Sequence, residues 1–168
     1  DDFARGGMIA SIAGDDAANN RRFYNKPNVA LVKDKQYGDH LTIAIGSGHR
    51  AHPIYNKTVV DRFYVIKDFN PYAAPKNEDG DIEYTAKTHA TSNSGDPDRS
   101  KIYDASTLMT GGISNYTATF EKLMTKGGGW YVNLPNTGEK VLAESTTFAG
   151  AIIFTTFTPS DTSINTAT

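Results

Sequence analysis

HLTIAIGSGHRAHP, residues His40 to Pro53, is the stretch that decides how the rest of the chain is read. An alternating run leads straight into Gly46-Ser47-Gly48, Ala51 completes the spacing G-x-G-x-x-G/A, and an acidic residue, Asp68, stands further on. That is the spacing of a dinucleotide-binding turn. Such a turn needs a helix directly after its glycines, because the helix N-terminus binds the pyrophosphate. Here Pro53 would fall in the first turns of that helix, removing a hydrogen bond and disfavouring helical backbone at His52. The residues that follow are β-branched and show no helical face, and the next clear element is another strand. The glycines therefore read as a strand exit, placed where the backbone needs conformations closed to other residues.

Working outward, Asn28–Asp34 (NVALVKD) reads as a strand and KQYGD as a turn. His40–Gly46 reads as a second strand, with Leu41, Ile43 and Ile45 alternating against Thr42 and Ala44. Asp61–Asp68 (DRFYVIKD) is a third, with Phe63 and Val65 on one face and Tyr64 and Ile66 on the other. Three short strands joined by turns describe an antiparallel meander. Residues 70–100 break the rhythm with Pro, Gly, Asp, Asn and Ser, and read as a surface insertion. One amphipathic helix is expected over 113–126, from the spacing of Ile113, Tyr116, Phe120, Leu123 and Met124, with Gly127-Gly128-Gly129 as its stop. Strands resume in GWYVNL, VLAESTTF and AIIFTTFTP, the last two joined by a two-residue turn at Ala149-Gly150.

Composition narrows the function classes. The chain has 168 residues, 38 % apolar and 21 % charged, with net charge −2 and no cysteine. Disulfides and thiolate chemistry are excluded within it. The charge offers no general attraction for nucleic acid, and no apolar run approaches the length of a membrane span. Asp1-Asp2-Phe3 lacks an initiator Met and a signal-peptide pattern, so the chain reads as part of a larger or processed protein.

In order along the chain, RRFYNKPNVALV, LTIAIGSGHRAHP, DRFYVIKD, GWYVNLPNTGEKVLAE and IIFTTFTP resemble segments of the PilC/PilY family. These are the large adhesins and assembly factors of Gram-negative type IV pili. The resemblance runs from about Phe23 to Pro159 and implies an all-β fold with one short helix. It would supply about two antiparallel blades of a modified quinoprotein-like β-propeller, residues 1–168 forming part of that domain. It further implies a non-catalytic role in pilus assembly and adhesion, at the pilus tip or outer-membrane surface, after export through the periplasm. Implied partners are the remainder of the propeller or a second chain, minor pilins, and a host or abiotic surface. The family's calcium loop, D-x-D-x-D-G-x-x-D, is not in this chain. A quinoprotein-like enzyme and a carbohydrate-binding propeller are the alternatives, to be told apart by a bound quinone's absorbance and by glycan binding that depends on Trp130.

Individual residues are weighed against plainer roles. Arg50, after Gly46 and Gly48, is expected to pair with Asp61 or Asp68 and lock neighbouring strands, rather than to bind metal with His49 and His52. Asn77, Asp79, Asp81 and Glu83 alternate and form the one calcium candidate, set against an acidic turn with its glycine at the fourth position and Thr88 at the twelfth. Arg21-Arg22 and Phe23-Tyr24 read as interstrand packing with an exposed guanidinium. Arg62 belongs to the Asp-Arg-Phe-Tyr segment, and Trp130-Tyr131 reads as an aromatic pair entering the core. No nucleophile elbow or catalytic constellation is present.

Overall fold

The computed structural model describes residues 7–14, 16–93, 96–107, 121 and 125–160. Its eight strands are β1 (Asn28–Val32), β2 (His40–Gly46), β3 (Arg62–Asp68), β4 (Thr88–His89), β5 (Lys101–Asp104), β6 (Gly129–Asn133), β7 (Thr146–Phe148) and β8 (Ala151–Ile153). The first six form one sheet in the order β1-β2-β3-β6-β5-β4, and β7 and β8 form a separate hairpin.

The expected meander is there: β1, β2 and β3 pair antiparallel, with Ile43 opposite Val29 and Ile66. The sheet as a whole is mixed, which corrects the expectation of antiparallel strands throughout. β6 lies antiparallel to β3, whereas β5 runs parallel to both β6 and β4. A parallel neighbour needs a long crossover rather than a tight turn. In sequence, residues 90–100 separate β4 from β5 and residues 105–128 separate β5 from β6. The end of the 70–100 segment thus belongs to the scaffold: Thr88–His89 is the sheet edge, and Ala10 bridges Lys87 beside it. The helix expected over 113–126 falls mostly outside the described residues. Of it, Glu121, Thr125 and Lys126 have helical backbone, and Thr125 Oγ1 donates to the Glu121 carbonyl at 2.7 Å.

Both faces of the sheet are covered over β3, which is why that strand is buried at nearly every position. On one face Ala44, Phe63, Val65, Val132, Leu134 and Val141 form a core, with Trp130, Ile152 and Phe154 packed against it. Phe154 stacks on Phe63 at 3.9 Å between centroids. On the other face Tyr64, Ile66, Ile102 and Tyr131 are covered by Ala10, Ile12 and Phe23. The period-two assignment of Phe63 and Val65 against Tyr64 and Ile66 therefore holds. In β2 the small residues Thr42 and Ala44 are the buried set, and Leu41, Ile43 and Ile45 are half-buried on the opposite face. Among the described residues no helix is long and apolar enough to cross a membrane.

Candidate functional site

The strand exit at Gly46-Ser47-Gly48 is built differently from the sequence expectation. Neither Gly46 nor Gly48 has positive φ. Their lack of a side chain answers to crowding instead. A Cβ on Gly46 would meet Val141 Cβ at 2.3 Å, and one on Gly48 would meet Lys140 Cβ at 2.8 Å. The strand end is clamped by the segment after β6, with the Val141 N–H donating to the Ser47 carbonyl at 3.0 Å.

Arg50 does not make the expected lock. It is exposed, and it forms no hydrogen bond or ion pair with any described residue. Ser47 takes that role. Its buried hydroxyl donates to Asp61 Oδ1 at 2.6 Å and accepts from the Arg62 N–H at 2.9 Å, tying the end of β2 to the start of β3. The Lys140 side chain is buried nearby, its Nζ donating to the carbonyls of Asn56 (2.6 Å) and Gly138 (2.7 Å). Burial pushes the Asp61 carboxyl up, against the opposing pull of the Ser47 bond and of Lys140 and Arg21. The sequence carried a signal for Asp61 but none for Ser47 or Lys140, since a serine between glycines looks like a turn residue.

His49 and His52 do meet, edge to face at 4.8 Å, and His49 also stacks on Tyr24. Arg22 Nη1 lies 3.0 Å from His49 Nε2. Arg22 is exposed as expected, whereas Arg21 is 5 % exposed, its Nε donating to the Val60 carbonyl at 2.9 Å. Trp130 and Tyr131 enter the two opposite cores, as alternation along β6 requires.

At Asn77, Asp79, Asp81 and Glu83 the chain folds into a small turn closed by its own backbone. The Asn77 N–H donates to the Asp81 carbonyl at 2.9 Å, and Asn77 Oδ1 accepts from the Asp81 N–H at 2.9 Å. The asparagine thus closes the loop on itself through both its backbone and its side chain. Among the described residues no three His, Cys, Asp or Glu side chains converge in a group able to hold a metal ion.

A second polar constellation lies elsewhere, where β3, β4 and β6 meet the N-terminal segment. His89 Nε2 is 3.1 Å from the Tyr64 hydroxyl and 3.3 Å from Arg62 Nη1. Arg62 Nε donates to Asn133 Oδ1 at 2.7 Å, and its Cζ sits 4.1 Å above the Tyr131 ring. A guanidinium has no acceptor, so Nε2 must receive, and the His89 ring carries its proton on Nδ1. Burial first, and then the charges of Arg62 and Arg21, bring the His89 pKa down to about 4. The imidazole is neutral at physiological pH. Sequence reasoning singled out Arg62 and Tyr131 but not His89, which sat alone in a polar segment.

Compared with protein-family models, with curated proteins and with solved structures, the chain finds no match. The likeness to PilC/PilY proteins therefore rests on the quoted segments alone.

Proposed function

We propose that this chain is a non-catalytic module of a type IV pilus-associated protein of the PilC/PilY kind, part of a β-propeller that supports pilus assembly and surface adhesion. One observation carries the reading. Four of the five segments that resemble the family coincide with β1, β2, β3 and β6, and these four are consecutive antiparallel neighbours in the sheet. Four antiparallel strands in sequential order are the make-up of one propeller blade. In sequence β6 follows β3 after residues 69–128, from which β4 and β5 extend the same sheet beyond β6.

Uncovered apolar surface fits the same reading. Val29 is 54 % exposed and Leu31 46 %, on the face they share with Ile43 and Leu41, and Phe148 on the β7–β8 hairpin is 73 % exposed. A blade in a propeller buries such surface against its neighbour. The carbohydrate-binding alternative gains nothing from Trp130, whose ring packs against the core.

In the bacterium that makes the protein, Val29→Glu combined with Leu31→Glu should reduce surface piliation and attachment while pilin levels hold. Wild-type piliation and attachment in that strain would refute the proposal.

A further inference from the structure

The Arg62–His89 constellation opens on a cleft of about 260 Å³, bordered also by Asn19, Arg21 and Tyr131, with Asp16 on its wall. Two guanidiniums face the same small space. Arg21 donates to the carbonyl of Val60, and to the carbonyl and Oδ1 of Asn19 at 3.3 and 3.2 Å. Arg62 is held by Asn133 Oδ1, His89 and the face of Tyr131. Every one of these partners is neutral, and neither guanidinium has an ion-pair partner among the described residues. Against the two guanidiniums only one carboxylate, Asp16, lines the cleft, so the lining carries an excess of positive charge that an anion would neutralise.

The carboxylates nearby are occupied. Asp61 is bonded to Ser47, and Asp16 accepts from the N–H groups of Ala18 and Asn19 and from the Asn19 side-chain amide. Asp104 lies beyond Tyr131, where it binds Ser106 and Asn133. The His89 Nδ1–H, which borders the cleft with the rest of its ring, has no partner among the described residues. A second cleft of about 220 Å³ does not share this imbalance, because Asp68 and Glu83 stand there beside Lys87 and Arg99.

We propose that the cleft between Arg21, Arg62 and His89 is a binding site for a small carboxylate-bearing ligand, with the carboxylate held by the two guanidiniums. A planar carboxylate matches the fork of a guanidinium through two parallel hydrogen bonds. Two guanidiniums against Asp16 leave one net positive charge on the cleft lining, which a monoanion matches and a dianion such as phosphate overshoots. The volume suits a monosaccharide or a dipeptide, below the usual range for drug-sized ligands. A uronic acid and a peptide C-terminus present the same chemistry. The site is independent of the pilus reading.

The test is a titration of the 168-residue chain, followed by nuclear magnetic resonance at the His89 ring and the Arg62 Nε–H. The probes are galacturonate, N-acetyl-alanyl-alanine, galactose and inorganic phosphate. At least one carboxylate should give saturable shifts at both groups, and the tighter of the two names the source. Galactose should give none, and phosphate should bind about tenfold more weakly or worse. Arg62→Gln should weaken carboxylate binding by about tenfold. Because Arg21 and Arg62 also bridge strands and loops, Asp16→Asn is the variant that keeps the turn acceptor and the fold. It should tighten binding by roughly twofold to fivefold. Saturation by neither carboxylate, equal binding of galactose, tighter binding of phosphate, or an affinity unmoved by Asp16→Asn would each overturn the proposal.

Discussion

Replacing Gly46 by alanine adds one methyl group at the most crowded point of the strand exit. That methyl carbon would lie 2.3, 2.4 and 2.5 Å from Cβ, Cγ1 and Cγ2 of Val141. Carbon atoms rest at about 3.5–4.0 Å, so one side must retreat by more than an ångström. Val141 is not free to do so. Its N–H is bonded to the Ser47 carbonyl, and the preceding residue, Lys140, is bridged to Phe157 and anchored by two carbonyls on its Nζ. Overpacking of a fixed core costs about 1–3 kcal/mol, and the rigid neighbour places Gly46→Ala near 3. With a urea m value of about 2 kcal/mol/M, the unfolding midpoint should fall by roughly 1–1.5 M. Val141→Gly removes all three offending carbons. The double variant Gly46→Ala/Val141→Gly should therefore be more stable than the sum of the single changes allows, by at least about 1 kcal/mol. If glycine were needed for its backbone freedom, the two costs would simply add. Additivity in that cycle, or an unchanged midpoint for Gly46→Ala, would refute the steric account.

The Ser47 lock and the exposed Arg50 give a paired expectation. Ser47→Ala should cost about 1–3 kcal/mol by stranding buried Asp61, while Arg50→Ala should stay within about 0.5 kcal/mol, both read by urea denaturation. Protonation of His89 gives a pH dependence. Its folded pKa lies below its unfolded value of 6.5, so the stability it contributes is full above pH 6.5 and is lost as pH falls towards 4. Allowing for solvent screening, the loss should be about 1–2 kcal/mol, and His89→Gln should remove it. Burial raises Asp61, which acts with the opposite sign just above its unfolded pKa, so the difference between wild type and His89→Gln across pH 4–7 isolates the histidine. With Val29, Leu31 and Phe148 uncovered, the chain alone should self-associate, and Leu31→Glu should lower the apparent mass in sedimentation.

Local chemistry made much of the sheet legible. The alternation in DRFYVIKD placed Phe63 and Tyr64 in separate cores, and the Ala149-Gly150 turn joins β7 to β8, with φ of 49° and 80° matching a tight hairpin. The parallel half was not legible. KIYD is a four-residue strand inside a polar segment, and nothing local reveals that its partner in β6 lies beyond a long excursion. The same limit applies to the sites. Asp61 stood out, but its partner Ser47 and the buried Lys140 become meaningful only once residues 139–141 fold back over the strand exit. His89 acquires its neutral state from Arg21 and Arg62, which come from distant parts of the chain.

Whether β1-β2-β3-β6 is one blade of a propeller is tested most directly by an experimental structure of the intact gene product. The expected result is a ring of radially arranged sheets in which a neighbouring blade covers Val29 and Leu31. A sheet standing outside any closed ring, with Val29 and Leu31 open to solvent, would contradict it.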